Sequence, residues 1–140
     1  MEVTKINKRP PDGIKEDGKP IRVLVVDDSK FIAKQLAQIL TSEMYEVCGT
    51  AEDGNEAVKK FMELSPDVTT LDITMPNLDG LGALDQIIKY NPKAKVVMVS
   101  ALGKEDTVKD ALTRGAVNFI VKPFNRNQVL ERFRKVLGIE

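Results

Sequence analysis

From Ile21 onward, short apolar runs alternate with stretches whose apolar residues recur every three or four positions, a pattern that predicts five strand–helix pairs. "IRVLVV" reads as a buried strand; Ser29 then caps a helix whose apolar face is Ile32, Leu36, Ile39 and Leu40. "YEVCGTA" is a second, weaker strand, followed by a helix marked by Ala57, Val58, Phe61 and Leu64 and stopped at Ser65-Pro66. "DVTTL" is the third strand, and Leu81, Leu84, Ile87 and Ile88 mark a third helix that ends near Asn91-Pro92. "KVVMVS" is the fourth strand, with Val108, Ala111 and Leu112 on a short helix before Gly115. "AVNFIV" is the fifth, and Val129, Leu130, Phe133, Val136 and Leu137 face inward from the last helix. Connections this short imply right-handed crossovers, hence a three-layer α/β sandwich: a five-stranded parallel sheet with five helices spread over both faces.

Residues 1–20, "MEVTKINKRPPDGIKEDGKP", lack any such period and mix charges with prolines and glycines. That composition predicts a flexible N-terminal arm ahead of one domain over residues 21–140. The chain has 140 residues, enough for one substantial core. Its 21 basic residues balance 21 acidic ones, so no global charge draws it to nucleic acid or to an anionic membrane. Cys48 is the only cysteine, which excludes an internal disulfide and fits a reducing compartment. No stretch approaches the ~20 apolar residues of a membrane helix, and the N-terminus lacks an apolar signal region. A cytoplasmic protein is expected.

In a parallel sheet of this kind ligands sit outside the carboxyl ends of the strands. The chemistry-bearing residues collect there: Asp27 and Asp28 after the first strand, Asp72 after the third, Ser100 at the end of the fourth and Lys122 after the fifth. Any one Asp in such a place is an ordinary helix cap or turn former. Four strands delivering such groups to one edge is a different matter. Three carboxylates brought together repel unless a cation or protons intervene. A hard divalent ion answers that need, with Asp28 and Asp72 as direct ligands and Asp27 acting through water. The chain contains no His and a single Cys, so zinc is disfavoured and Mg²⁺, or Mn²⁺, is the expected metal. A carboxylate beside Mg²⁺, a hydroxyl and a lysine is suited to phosphoryl transfer onto the carboxylate itself, and Asp72, at the tip of the central strand, is the expected nucleophile.

The motifs "LVVDDS", "TTLDITMPNLDG", "VVMVSA" and "NFIVKPF" resemble, in order and spacing, the receiver domain of two-component response regulators, over about residues 21–138. The chain is similar to stand-alone members of the chemotaxis CheY type. The resemblance implies the flavodoxin-like strand order 2-1-3-4-5 and a phosphorylated switch in place of an enzyme. It implies Asp72 as phosphoacceptor, Asp27, Asp28, Asp72 and the Thr74 carbonyl as metal ligands, Ser100 as the conserved hydroxyl and Lys122 as the phosphate-pairing lysine. Phe119 matches the aromatic switch position, usually Tyr in chemotaxis members, and Lys122-Pro123 matches a cis peptide bond. The implied partners are a histidine kinase, a protein effector, for which the flagellar motor switch is expected, and a phosphatase. A monomer that binds neither nucleic acid nor membrane is expected, since no DNA-binding module follows the last helix. Output would then pass through helix four, strand five and helix five, near Lys104, Phe119, Lys122 and Arg126. A non-chemotactic phosphorelay is the alternative within the family. Outside it stand a small Mg²⁺-dependent phosphatase with an Asp nucleophile, which wants an acid where Thr74 stands, and a flavin carrier, whose phosphate Asp27 and Asp28 would repel.

Overall fold

The computed structural model describes residues 10–139. Its strands are β1 (Arg22–Val26), β2 (Glu46–Ala51), β3 (Val68–Leu71), β4 (Val96–Ser100) and β5 (Asn118–Val121), all parallel, in the order β2-β1-β3-β4-β5. The helices are α1 (Lys30–Thr41), α2 (Gly54–Leu64), α3 (Gly80–Tyr90), α4 (Glu105–Thr113) and α5 (Arg126–Leu137). The expected architecture and strand order are both present. Because side chains alternate along a strand, the central strands divide their apolar residues between two cores. Leu24, Val26, Leu71, Val96, Met98 and Phe119 pack with α2, α3 and α4; Val23, Val25, Val97, Val99 and Ile120 pack with α1 and α5. No helix of the described residues is long and apolar enough to cross a membrane.

Local signals set the helix starts. Ser29, Asp53, Asp79 and Asn125 each accept a backbone N–H of their own first turn, and Asn125 forms a full capping box with Gln128. Helix α4 is the exception. Lys104 at its N-cap supplies no side-chain bond, and Ala111 is its one fully buried residue. Leu112, expected inward, is 44% exposed, because a residue next to Ala111 is turned about 100° away from the buried stripe of so short a helix.

The arm expected over residues 1–20 departs from that expectation where it is described; residues 1–9 lie outside the described residues. From Pro10 to Pro20 the chain forms a strap across the lower end of β1. Ile14 and Pro20 form an antiparallel bridge. The Gly13 N–H donates to the Glu43 carbonyl at 2.7 Å, and the Gly13 carbonyl accepts from Ile21 at 2.7 Å. A Cβ on Gly13 would lie 2.1 Å from the Tyr45 nitrogen, so only glycine allows this approach. Asp12 is buried, and its Oδ2 stands 2.9 Å from Arg134 Nε, in ion-pair contact though off the line of a hydrogen bond. These fastenings join residues far apart in the chain through backbone groups and through ion pairs such as Asp12–Arg134 and Lys15–Asp67. They leave no apolar period in the sequence.

Candidate phosphoryl-transfer and metal site

The upper ends of β1, β3, β4 and β5 bring the expected residues together. Backbone ladders carry each of them into place: Asp27 N–H donates to the Ala51 carbonyl at 3.0 Å, Asp72 N–H to Val26 at 3.1 Å, and Lys122 N–H to Ser100 at 2.9 Å. Asp27 and Asp72 are buried, whereas Asp28 is exposed. Asp27 Oδ1 accepts from the Ser29 N–H at 2.9 Å, and Asp72 Oδ1 from the Ile73 N–H at 2.7 Å. One oxygen from each of Asp27, Asp28 and Asp72 falls within a common span of 4.8 Å.

Lys122 lies among them. Its Nζ donates to Asp72 Oδ2 at 3.2 Å and stands 2.8 Å from Asp27 Oδ2. The charge that sequence reasoning assigned to a metal is thus partly supplied by the chain's own ammonium. Burial alone would push the Lys122 ammonium down; the Asp27 and Asp72 carboxylates outweigh it and hold the group above the usual lysine range. The Asp72 carboxyl is held above the usual carboxylate range. Burial raises it most, Lys122 opposes, and Asp27 adds to the rise.

Ser100 is buried at the end of β4, and its Oγ accepts from the Leu102 N–H at 3.1 Å. Phe119 pairs in register with Met98, two residues before Ser100, so Phe119 and Ser100 are diagonal neighbours on one sheet face. The Phe119 ring is already buried in the core with α2, α3 and α4. Thr74 and Leu102 are exposed in the loops after β3 and β4. The Lys122-Pro123 bond is cis. Arg126, expected near an output face, instead reaches the α1–β2 corner: its guanidinium lies 3.2 Å from Glu43 Oε2 and 3.3 Å from Ser42 Oγ.

In the β3–α3 loop, Gly80 of the "TTLDITMPNLDG" motif matches the family's loop after the phosphoacceptor, where glycine permits a tight chain path. A Cβ on Gly80 would fall 1.9 Å from the Asp72 carbonyl oxygen, so glycine alone lets α3 begin against the Asp72 backbone. The residues that sequence reasoning missed are Asp53, Gly54 and Asn77. Their sequence signal, "EDGNE" after the second strand and "MPNLDG" after the third, is that of two ordinary helix caps.

Residues 23–134 match the response regulator receiver domain. The chain belongs to the response regulator receiver family. It is 57% identical over 134 residues to the chemotaxis protein CheY of Treponema pallidum, covering 94% of this chain and 93% of the relative. It is 47% identical over 115 residues to CheY of Thermotoga maritima, covering 82% and 96%. The first share is larger than residues 21–140 alone can supply, so that likeness reaches into the segment ahead of β1. Among solved structures, a chain in the crystal structure of the CheX–CheY–BeF₃–Mg²⁺ complex from Borrelia burgdorferi superposes with a TM-score of 0.91 and 50% identity, covering 92% of this chain and 98% of that one. Receiver domains bind Mg²⁺ at an acidic pocket, and the Asp27, Asp28 and Asp72 cluster has the hard oxygen donors for that ion.

Proposed function

We propose that this receiver is a chemotaxis response regulator that accepts a phosphoryl group on Asp72 from a histidine kinase and thereby changes its binding to a protein effector. The observation that carries this reading is the approach of Lys122 Nζ to Asp72 Oδ2 at 3.2 Å inside a cluster of three carboxylates. The Asp72 carboxylate attacks phosphorus, the bond from phosphorus to the kinase imidazole nitrogen breaks, and the imidazole leaves with that electron pair. Lys122 balances charge on the transferring oxygens and afterwards pairs with the phosphoryl group. Asp27, Asp28, Asp72 and the Thr74 carbonyl would hold Mg²⁺, which supplies further charge neutralisation when bound. Ser100 is placed to turn its hydroxyl from the Leu102 N–H toward the new phosphoryl oxygens.

That turn is the local event of the switch, with Phe119 as its aromatic partner. The ring is already inside, so activation involves no entry of Phe119 into the core; what changes is the β4–α4 loop and the weakly anchored α4. The exposed apolar side chains of Leu102 and Leu112 lie on these elements, with exposed Val121 at the end of β5, and they offer an effector contact surface. The flagellar motor switch is the effector this reading favours, and a phosphatase would end the signal. Incubation with acetyl phosphate and Mg²⁺ should add one phosphoryl mass, and borohydride reduction should mark Asp72. Label on another carboxylate would overturn the assignment.

A further inference from the structure

The loop from Asp72 to Asp79 is held at two places. Near Asp72, the Ile73 carbonyl accepts from the Gly80 N–H at 2.7 Å, and the side chains of Ile73 and Met75 are buried on either side of exposed Thr74. Farther on the chain reverses at Asn77, whose φ of 68° lies in the left-handed region that Asn tolerates better than most residues, and Leu78 N–H closes onto the Pro76 carbonyl at 2.8 Å. This reversal is tied to the start of α2. Gly54 N–H donates to the Leu78 carbonyl at 2.9 Å, and Asn77 Nδ2 donates to Asp53 Oδ2 at 2.9 Å. A Cβ on Gly54 would sit 2.1 Å from the Leu78 oxygen, so the approach is closed to any other residue. Asp53 uses its other oxygen, Oδ1, to cap α2 through the Glu56 N–H at 2.8 Å. One carboxylate therefore joins a helix start to the loop that leads from Asp72.

We propose that Asp53 and Asn77 are positioning residues for the cation site, holding the β3–α3 loop in the form that presents the Thr74 carbonyl beside Asp72. The inference rests on the reading of Asp27, Asp28, Asp72 and Thr74 as the Mg²⁺ ligands. Neither residue belongs to the carboxylate cluster that would hold the ion. They act through the loop: without them the Asn77 reversal loses its side-chain tie and keeps the Gly54 N–H bond to the Leu78 carbonyl, while its Asp72 end stays pinned. The Asp53 carboxyl is held below the usual range by the Glu56 N–H and by Asn77, so it acts as a charged acceptor, the stronger kind.

The test compares Mg²⁺ titration by calorimetry with backbone amide exchange in the chelated protein, across four variants. Asp53→Ser keeps a hydroxyl cap for α2 but is too short to reach Asn77; Asn77→Gly keeps the left-handed turn and removes the amide; the third combines both; Asp53→Asn keeps one acceptor oxygen for the cap and offers an amide donor that Asn77 can meet by turning its own amide over, and is the conservative rescue. Each single variant should weaken Mg²⁺ binding about fivefold, the worth of one hydrogen bond of about 1 kcal/mol, and the combination should weaken it no further. Asp53→Asn should lose less Mg²⁺ affinity than Asp53→Ser. In the metal-free single variants, exchange should quicken at the amides of residues 74, 75, 77 and 78 and not in β1 or β4. Unchanged Mg²⁺ affinity in both single variants, or losses that multiply in the combination, would overturn the proposal. Asp28→Asn separates the two levels. If it binds Mg²⁺ as the parent does, the metal reading itself fails; if it loses Mg²⁺ while the clamp variants keep it, the clamp alone fails.

Discussion

Lys122 and Asp72, fifty residues apart in sequence, meet at 3.2 Å, and the same ammonium stands 2.8 Å from Asp27. The protein thus carries an internal cation where an external one is also expected. With Mg²⁺ chelated, burial keeps the Asp72 carboxyl above its ordinary range despite Lys122. A carboxyl with a raised folded pKa holds a proton in the native state that the unfolded chain has already released. Stability therefore falls as pH rises from about 4 through the raised value, and the deficit persists above it. The neutral Asp72→Asn variant escapes that loss. In chelator at pH 7 it should be more resistant to urea than the parent, with the gap closing toward pH 4; a variant no more stable than the parent at pH 7 would contradict the sign.

Lys122 should also compete with the metal. Removing it in Lys122→Met leaves the three carboxylates without their ammonium, so Mg²⁺ should bind several-fold more tightly while the protein in chelator becomes less stable. Calorimetry checks the first and urea unfolding the second. Weaker Mg²⁺ binding in the variant would mean that Lys122 organises the ligands more than it opposes the ion.

Ser100 Oγ accepts from Leu102 N–H in the unphosphorylated form. Adding BeF₃⁻ with Mg²⁺ should shift the Leu102 amide resonance strongly and the Phe119 ring resonances less, since the ring is already buried. In Ser100→Ala the Leu102 shift should be lost. A shift of the same size there would remove Ser100 from the switch.

Hydrolysis of the aspartyl phosphate needs a water held opposite the departing carboxylate. Thr74 and Leu102 border the site, and neither offers an acid or an amide to hold one. Self-dephosphorylation should be slow, and Leu102→Gln combined with Thr74→Asn should speed it several-fold, each ~1.4 kcal/mol off the barrier being tenfold. The measurement is loss of phosphate at fixed Mg²⁺ and pH; decay no faster in the pair would place the limit elsewhere.

The strap over residues 10–20 gives a contrast between two ion pairs. Asp12→Ala strands Arg134 beneath it and should cost about 1–3 kcal/mol of stability in urea. Lys15→Ala removes an exposed contact with Asp67 and should stay within about 0.5 kcal/mol. Equal effects would mean that the buried pair adds nothing beyond a surface one.

The sheet, its order and the convergence of Asp27, Asp72, Ser100 and Lys122 were legible in the chain because each depends on local period and on the rule that strand ends share an edge. Runs such as "IRVLVV" and "KVVMVS" announce strands buried on both faces, and each charged residue directly follows or ends such a run. What the sequence by itself determined was therefore which groups meet. The tertiary structure alone decided how they are held. Whether Lys122 Nζ reaches one carboxylate or two depends on the distance across the sheet from β5 to β1, which no spacing encodes. The same holds for Asp12 against Arg134 and for Asp53 against Asn77. Each pair joins residues far apart in the chain through one polar contact, and a single polar contact leaves no periodic trace. Burial of Phe119 and exposure of Leu112 were decided in the same way, by where the neighbouring helix packs, since an apolar residue reads alike in sequence whether its face of the element is covered or open.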